Sequence, residues 1–223
     1  MYKQLRFFIK NVLKKSLTFL ISVFSIRNKN IIILGLCTKN SDKKYRDYFM
    51  HNTKYLFLYL SHTHTHNFKV VYLCDNPSMI KELKQISFDV YSRKSLKGIY
   101  YKLRAKYWVY DNERKDLPCS CLSGGATCIN LYHGIPLKKI GYDTLRLKKH
   151  LNFYKKILHF LQLKDSFYNV NSEYEHSCYS SAFLTDKNNI KILGSPRLDV
   201  LLHDIPHSDL FMENDFASIK NFK

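Results

Sequence analysis

The chain contains one stretch that joins a short apolar run to an abrupt turn: NLYHGIPLKKIG, residues 130–141. Residues 127–132 have the β-branched and aromatic character of a buried strand, and Gly134 with Pro136 predicts a tight turn directly after it. Ligands of parallel α/β sheets bind beyond the carboxyl ends of the strands. We therefore expect His133 to lie at the ligand-binding edge of a sheet.

Strand-like and helical stretches alternate on both sides of this segment. The predicted strands cover residues 31–36, 68–74, 88–91, 106–111, 127–132 and 190–193. The predicted helices cover residues 45–60, 77–85, 94–105, 151–163 and 173–184, and Pro77 suits the first turn of its helix. This alternation predicts βαβ units and an α/β fold with a Rossmann-like parallel sheet.

Composition narrows the functional classes. The 223 residues are 45% hydrophobic and 24% charged, which is typical of a globular protein and excludes collagen-like, coiled-coil and disulfide-scaffold classes. Lys and Arg number 36 against 18 Asp and Glu, a net charge of +18, so we expect an anionic partner. The six cysteines are scattered through predicted strands and loops, which favours free thiols in a reducing compartment inside a cell.

Residues 1–28 predict a basic amphipathic helix. Its longest charge-free run, residues 16–26, is far short of the ~20 residues needed to span a bilayer. Apolar residues share one side of the helical wheel, and a basic stripe lies beside them (Lys3, Arg6, Lys10 and Lys14). This pattern favours peripheral binding to an anionic membrane surface. One alternative is a secretory signal peptide, but no small-residue cleavage site follows. The other alternative is a helix packed on the protein's own core.

Several side chains are candidates for chemistry on phosphate groups. The His133 imidazole suits proton abstraction near neutral pH, and Lys138 and Lys139 can neutralise phosphate charge. The alternative is a turn histidine followed by two solvated lysines. Arg197, which directly follows Pro196 after a predicted strand, could hold a phosphate or form an ion pair with Asp199 or another surface carboxylate.

Metal binding is disfavoured by the spacing of the possible ligands. Cys119, Cys121, Cys128 and His133 lack the paired spacing of structural zinc sites. The histidines at positions 62, 64 and 66 are most simply explained as a polar loop between a helix and a strand. We therefore expect neither a metal ion nor a tightly bound cofactor.

The segment that starts at His133 resembles the His-Gly-Thr-Pro-Leu-Lys signature of the CDP-glycerol glycerophosphotransferases, the bacterial teichoic acid primases and polymerases, with Ile135 in place of threonine. Three further elements are similar and follow in the family's order. They are residues 52–60 (Asn-Pro-Lys-Tyr helix), residues 95–106 (Ser-Leu-Lys helix), and residues 171–175 with 192–199 (Ser-x-x-Tyr and Gly-Tyr-Pro-Arg-x-Asp). Together the matches cover about residues 31–202.

The resemblance implies a fold, a reaction and a location. It implies the N-terminal half of a GT-B architecture, in which two Rossmann-like domains enclose the active site. It implies transfer of polyol phosphate from CDP-glycerol or CDP-ribitol to a membrane-linked glycan acceptor at the cytoplasmic face of the membrane. His133 matches the proposed catalytic base of the family, and Gly134, Pro136, Lys138, Lys139 and Arg197 are the expected substrate-binding residues.

The chain also departs from the family. We expect an acceptor-side domain over residues 29–203 and a short tail over residues 204–223, where the family continues into a donor-binding domain. A separate C-terminal donor-binding half is therefore an expected partner. Residues 119–125 carry Cys, Ser and Gly where relatives often carry basic residues. The alternative functions are a non-catalytic basic module that binds anionic lipid or nucleic acid through charge, and an inactive remnant; we expect no nucleic acid partner for the transferase.

Overall fold

The computed structural model describes residues 17–39, 45–63, 67–112, 116–117, 120–147 and 165–211. Its strands are β1 (Asn28–Leu34), β2 (Cys37–Lys39), β3 (Tyr45–Asp47), β4 (Lys69–Cys74), β5 (Val90–Ser92), β6 (Ala105–Tyr110), β7 (Thr127–Asn130), β8 (Phe167–Val170) and β9 (Ile190–Ile192). Its helices are α1 (His51–Thr63), α2 (Pro77–Gln85), α3 (Leu96–Arg104), α4 (Gly141–Leu147), α5 (Glu173–Phe183) and α6 (Pro196–Asp199).

Seven of the described strands form one parallel sheet in the order β5-β4-β1-β6-β7-β8-β9. From β1 the chain moves outward through β4 to β5, returns to place β6 on the other side of β1, and moves outward again to β9. The direction therefore reverses between β1 and β6. The crevice beyond the carboxyl ends of these two strands is where doubly wound folds bind ligands. The predicted Rossmann-like α/β fold is confirmed.

The sheet is buried on both faces where its central strands carry apolar residues, which in β1 are the last four of seven. Successive residues of a strand point to opposite faces, and β1 follows this rule. Ile32 and Leu34 join a cluster with Phe57 of α1 and Leu83 of α2. The alternate residues of β1 and β4 join a second cluster on the opposite face, around the fully buried Trp108. The two cores hold the carboxyl ends of β1, β4 and β6 in fixed register.

The segment at residues 45–47 is a strand, whereas the sequence predicts a helix over residues 45–60. β3 pairs antiparallel with β2, and α1 begins only at His51. Asp47 explains the difference, because its carboxylate accepts a hydrogen bond from the Asp75 backbone N–H at 2.6 Å and forms a 2.6 Å ion pair with Arg93. These partners stand 28 or more positions away, so the helical pattern of the local sequence does not reveal them.

Three of the described strands and helices that follow β7 are not predicted from the sequence. Strand β8 and helix α6 have only four residues each, and helix α4 is seven residues long. Such short elements carry too few residues for a hydrophobic period to be read. The predicted helix over residues 151–163 lies outside the described residues.

The described part of the N-terminal helix, residues 17–23, lies at the amino-terminal edge of the sheet. The Ser22 hydroxyl donates to the Cys121 carbonyl at 3.0 Å and accepts from the Gly124 N–H at 2.8 Å. The Arg27 guanidinium donates to the carbonyls of Gly124 and of Ala105, the first residue of β6. Residues 1–16 of the predicted helix lie outside the described residues.

This helix leaves apolar side chains in solvent. Leu17, Leu20, Ile21 and Phe24 follow helical spacing and are all exposed, Phe24 by 84%. Within the described ranges, every helix is too short or too polar to cross a lipid bilayer.

The segment after residue 204, expected from the sequence as a tail, packs against α1 over the residues that the structure describes. Ile205 is buried in the cluster that contains Phe57, and the buried Lys54 ammonium donates to the Leu210 carbonyl at 2.6 Å. Residues 205–211 therefore extend the domain.

Candidate active site

His133 lies just beyond the carboxyl end of β7. The pairing of β7 with β6 continues to Leu131, whose N–H donates to the Tyr110 carbonyl at 2.9 Å. Tyr132 then turns the chain with a φ of 53°, a left-handed conformation that few non-glycine residues adopt. The His133 ring is exposed and stacks on the Tyr132 ring, with the centroids 4.5 Å apart. The structure thus presents the imidazole to solvent at the edge where α/β folds bind ligands.

The surroundings of His133 favour its neutral form. Desolvation by nearby protein atoms lowers the pKa of the ring, a hydrogen bond to the Asp111 backbone carbonyl opposes this effect, and the positive charge of Arg197 lowers the pKa further. A ring nitrogen that donates to a carbonyl holds the proton of the neutral imidazole, so the other nitrogen keeps its lone pair. The lowered pKa thus favours a neutral His133 ring, which is the form that can accept a proton.

Arg197 sits against the turn that carries His133. Its guanidinium donates to the His133 backbone carbonyl at 3.1 Å and lies within 3.9 Å of the place where a side chain on Gly134 would begin. Arg197 and Asp199 form no ion pair, although the structure describes both residues. The guanidinium charge is thus held beside the His133–Gly134 backbone, where an anionic substrate group would meet it.

Asn52 joins the first turn of α1 to both of these segments. Its side-chain N–H₂ donates to the Tyr132 carbonyl at 2.7 Å, and its side-chain oxygen accepts from the Arg197 N–H at 3.2 Å. Asn52 itself is buried, which limits the access of competing water to its amide. Three segments that are remote in the sequence are therefore fixed around one point.

Asp111 directly follows the central strand β6 and is fully buried. Its Oδ2 accepts hydrogen bonds from the Thr53 N–H at 3.1 Å and the Thr53 hydroxyl at 2.7 Å, while its Oδ1 has no hydrogen-bond partner among the described residues. Burial raises the pKa of the carboxyl to about 7, against the lowering effect of the bonds from Thr53. The carboxyl is near enough to Arg197 for that positive charge to lower its pKa, and the backbone carbonyl of the same residue accepts a hydrogen bond from the His133 ring.

The remaining predicted residues belong to the loop that follows His133. Gly134 and Pro136 are partly buried, and the Tyr179 hydroxyl donates to the Gly134 carbonyl at 3.3 Å. Lys138 and Lys139 are exposed, and neither forms an ion pair with a described residue. The structure therefore brings His133, Gly134 and Arg197 into contact and leaves the two lysines extended into solvent on the same loop.

The carboxyl ends of β8 and β9 meet next to this loop. The Ser195 hydroxyl donates to the Asn171 side chain at 2.6 Å, and the Asn171 N–H donates to Glu175 at 2.8 Å. Glu175 is buried and starts α5 together with the N-cap residue Ser172. Two of the sequence elements that carry the family resemblance are thus joined by hydrogen bonds and hold α6, with Arg197, in place.

A buried ion-pair network fixes the other half of the same edge. Arg93 is 3% exposed and pairs with Asp47 at 2.6 Å and with Asp75 at 3.2 Å. The buried Lys102 ammonium of α3 donates to the Arg93 carbonyl at 2.7 Å. The Ser-Leu-Lys helix of the resemblance therefore supports the sheet edge and does not itself reach His133.

Three residues of the site are missed by sequence reasoning. Asp111 could have been found from its place directly after a buried strand, at the same edge of the sheet as His133. Thr53 and His51 carry no such signal, because their contacts to Asp111 and to the His133 ring cross 58 or more positions.

No metal site is found in the part of the chain that the structure describes: no group of three or more His, Cys, Asp or Glu side chains is arranged to hold an ion there. Cys74 and Cys178 are free thiols. His62, expected in a loop, belongs to α1 and stacks on His207 with the centroids 5.6 Å apart. The histidines at positions 64 and 66 and the cysteine at 119 lie outside the described residues.

A separate concavity of about 410 Å³ lies at the opposite edge of the sheet. It is lined by residues at the amino ends of β1 and β4 and by Tyr100 and Tyr101 of α3. Because the substrate-binding edge of this fold is the carboxyl edge, the concavity is not part of the candidate site.

Comparisons with known proteins agree with this architecture. The structure of the wall teichoic acid polymerase TagF superposes with a TM-score of 0.61 at 18% sequence identity, over 100% of this chain and 53% of TagF. A variant of TagF soaked with CDPG superposes with a TM-score of 0.62 at 19% identity, over 98% of this chain and 52% of that chain. These likenesses show the fold, and the chain spans about half the length of TagF.

The sequence comparison identifies the family. A search of curated proteins finds no match to the chain. The family model of the CDP-glycerol:poly(glycerophosphate) glycerophosphotransferases matches residues 28–214, which include all of the main sheet and the whole candidate site. This chain therefore belongs to the CDP-glycerol:poly(glycerophosphate) glycerophosphotransferase family.

Proposed function

We propose that this chain is the acceptor-side half of a polyol-phosphate transferase that uses CDP-glycerol or CDP-ribitol. The acceptor is a membrane-linked glycan in teichoic acid or capsular polymer synthesis. The observation that carries the proposal is the His133 imidazole, which is exposed at the carboxyl edge of the sheet, oriented by the Asp111 carbonyl and kept neutral by its surroundings. Membership of the family supports the choice of donor.

In the proposed step, His133 acts as the general base. The acceptor hydroxyl gives its proton to the free nitrogen of His133, and its oxygen forms a bond to the β-phosphorus of the donor. The bond between that phosphorus and the bridging oxygen breaks, and its electron pair leaves on CMP. No metal or tightly bound cofactor takes part in this scheme.

The positive groups of the site offset the charge on the phosphates. Arg197 is held beside Gly134 and can donate two hydrogen bonds to one phosphate, whereas Lys138 and Lys139 act as point charges from the exposed loop. Gly134 and Pro136 keep the loop backbone open to a close approach of the substrate. Charge stabilisation of this kind is usually the largest contribution to phosphoryl transfer.

The nucleotide of the donor needs further contacts. We propose that they come from a C-terminal donor-binding half, whether it continues this chain or is a separate partner. The chain spans about half of TagF, in agreement with one half of a two-domain transferase.

The test is release of CMP from CDP-glycerol by this chain together with a donor-binding half. We expect His133→Ala to lower kcat by about 100- to 10,000-fold, the usual contribution of a general base. His176→Ala is the matched control, because His176 lies on α5 and contacts the Lys187 carbonyl, away from the site. Transfer by His133→Ala at the rate of the control would reject the proposed function.

We further propose that the N-terminal helix holds the enzyme at the anionic cytoplasmic face of the membrane as a peripheral protein. The exposed apolar row of Leu17, Leu20, Ile21 and Phe24 supports this location, as does the net charge of +18. The variant Leu20→Glu/Phe24→Glu should lose co-sedimentation with vesicles that contain anionic phospholipid. Leu96→Glu, at an exposed leucine of α3, is the control.

A basic module that binds anionic lipid or nucleic acid through charge alone is the second candidate, and the net charge of +18 favours it. Such binding weakens steeply as salt rises and does not depend on one imidazole. Strong salt dependence, combined with no effect of His133→Ala in any assay, would select this function over transfer.

A further inference from the structure

The first residue of α1 places a second imidazole at the candidate site. The ring centroids of His51 and His133 lie 6.4 Å apart, with the ring planes inclined by 44°. His51 is partly buried, and the next two residues are both fixed to the site, Asn52 to Tyr132 and Thr53 to Asp111. The position of the His51 backbone is therefore set by the same contacts that build the site.

The distance between the two rings suits one shared oxygen atom. Two hydrogen bonds of about 2.8 Å that meet at one oxygen place their nitrogen atoms at most about 5.6 Å apart. Rings whose centroids are 6.4 Å apart can bring nitrogen atoms to such a distance. An oxygen between them can give a proton to one ring and accept an N–H from the other.

The backbone of His51 has an unfavourable conformation. Its φ of 57° lies in the left-handed region, which non-glycine residues seldom adopt. Such residues persist where the surrounding structure holds them, and here the bonds of Asn52 and Thr53 do so.

We propose that His51 donates a hydrogen bond to the acceptor hydroxyl oxygen that His133 deprotonates. The inference rests on the proposed function and deepens it, because it assigns a residue to the acceptor. As the hydroxyl loses its proton to His133, its oxygen gains negative charge and the bond from His51 strengthens. His51 thus positions the nucleophile and favours its ionisation.

Substitutions at His51 separate the hydrogen bond from the backbone conformation. Glycine accepts the left-handed conformation but has no donor, whereas asparagine tolerates it and keeps an N–H donor. We expect His51→Gly to lower kcat/KM for the acceptor by about 10- to 100-fold, as for loss of a hydrogen bond to a charged group, with the KM for CDP-glycerol unchanged. His51→Asn should recover most of the loss.

The control is Ser87→Gly, which relieves a φ of 67° far from the site and should not change transfer. If His51→Gly keeps the kcat/KM of the control, or if His51→Asn is as slow as His51→Gly, the role of His51 is rejected. Loss of transfer in His133→Ala with full transfer in His51→Gly would reject this inference alone. Full transfer in His133→Ala would reject the proposed function.

Binding to the chain without a donor-binding half gives a second readout. The imidazole proton signals of His51 and His133 are followed by NMR during titration with sn-glycerol 3-phosphate, a probe for the end of a polyol-phosphate acceptor, with the signal of His176 as reference. Shifts of both site rings support the inference. A shift of the His133 signal alone, or of neither signal, overturns it.

Discussion

The side-chain oxygen of Asn52 accepts a hydrogen bond from the backbone N–H of Arg197 at 3.2 Å, across 145 positions of the chain. The other end of the same amide donates to the Tyr132 carbonyl. One buried side chain thus joins α1, the loop that carries His133 and α6 through hydrogen bonds. The geometry of the site depends on the whole domain, and no single loop could form it.

The pH dependence of transfer should follow the His133 imidazole. Only the neutral ring accepts a proton, and desolvation disfavours the charged ring, so its pKa is lowered. The acid limb of kcat/KM should therefore have its midpoint below about 6.5, the value of an unperturbed histidine. The profile is measured from pH 5 to 8 by CMP release; a midpoint well above 6.5 would contradict the account of the site.

The buried carboxyl of Asp111 should make the fold less stable as pH rises. Its pKa is about 7 in the folded protein and about 3.9 in an unfolded chain, so the folded state binds the proton more tightly. This contribution to stability is complete below pH ~4 and is lost as pH rises through ~7, with a total on the order of 4 kcal/mol.

Asp111→Asn removes this titration and nearly keeps the shape of the side chain. The free energy of unfolding of both proteins is measured in urea at several pH values. We expect the value for the parent protein, relative to that for the variant, to decline between pH 4 and 7. Parallel pH curves for the two proteins would show that Asp111 ionises normally.

Removal of Arg93 should strongly destabilise the protein. Asp47, whose side chain is only 5% exposed, would lose its charge partner. Breaking a buried pair from one side typically costs about 3 to 5 kcal/mol, and we expect this loss for Arg93→Ala in urea unfolding. Lys94→Ala is the control, because Lys94 is 85% exposed and stands 3.9 Å from Asp75, so its loss should cost less than about 1 kcal/mol. Equal effects of the two substitutions would contradict the network described here.

Replacement of two glycines by alanine should change the stability of the protein to different extents. A Cβ on Gly98 would lie 2.0 Å from the Ser92 carbonyl oxygen, so α3 must shift, and Gly98→Ala should lower the free energy of unfolding by about 2 kcal/mol. A Cβ on Gly134 meets only the Arg197 guanidinium at 3.9 Å, and Gly134→Ala should change the free energy by less than about 0.5 kcal/mol.

The effects of the two substitutions on activity should not follow their effects on stability. In the proposed mechanism the substrate approaches the backbone at residue 134, where the new methyl group would lie, so Gly134→Ala should lower kcat/KM although the protein remains stable. Normal transfer by Gly134→Ala would show that the substrate does not approach this turn.

Joint replacement of Lys138 and Lys139 by alanine should lower kcat/KM for the donor by about 100-fold or more, since removal of one group that stabilises developing charge often has this effect. Both side chains are exposed, so stability should not change. The control is joint replacement of Lys81 and Lys187, two exposed lysines of other elements, which removes the same charge. If both double variants have the same rate, the lysines serve only the overall charge of the protein.

The fold could be predicted from the sequence largely because the central strands are short apolar runs with clear boundaries. β1, β4 and β6 were found in this way, and the position of His133 followed from its place after a strand. The hairpin of β2 and β3 was missed, because the bonds that hold Asp47 join it to Arg93 and to the Asp75 backbone, both remote in the sequence. β8 was missed because four residues are too few to show alternation.

The site was only partly predictable for the same reason. Arg197 was a candidate from its own sequence context, but its contact with the His133 carbonyl exists only once the domain has folded. Asp199, an alternative partner of Arg197, is close in sequence, whereas the His133 carbonyl that Arg197 contacts is 64 positions away. Local patterns thus located groups with suitable chemistry, and the tertiary contacts determined which of them act together.

The N-terminal helix and the His133 loop occupy opposite ends of the same strands. Strands of six or seven residues separate them by roughly 20 Å. If the domain binds lipid through Leu20 and Phe24, the His133 loop lies on the side of the domain that faces away from the bilayer. Under the proposed function, the end of a membrane-linked acceptor must therefore extend roughly 20 Å from the bilayer to reach His133.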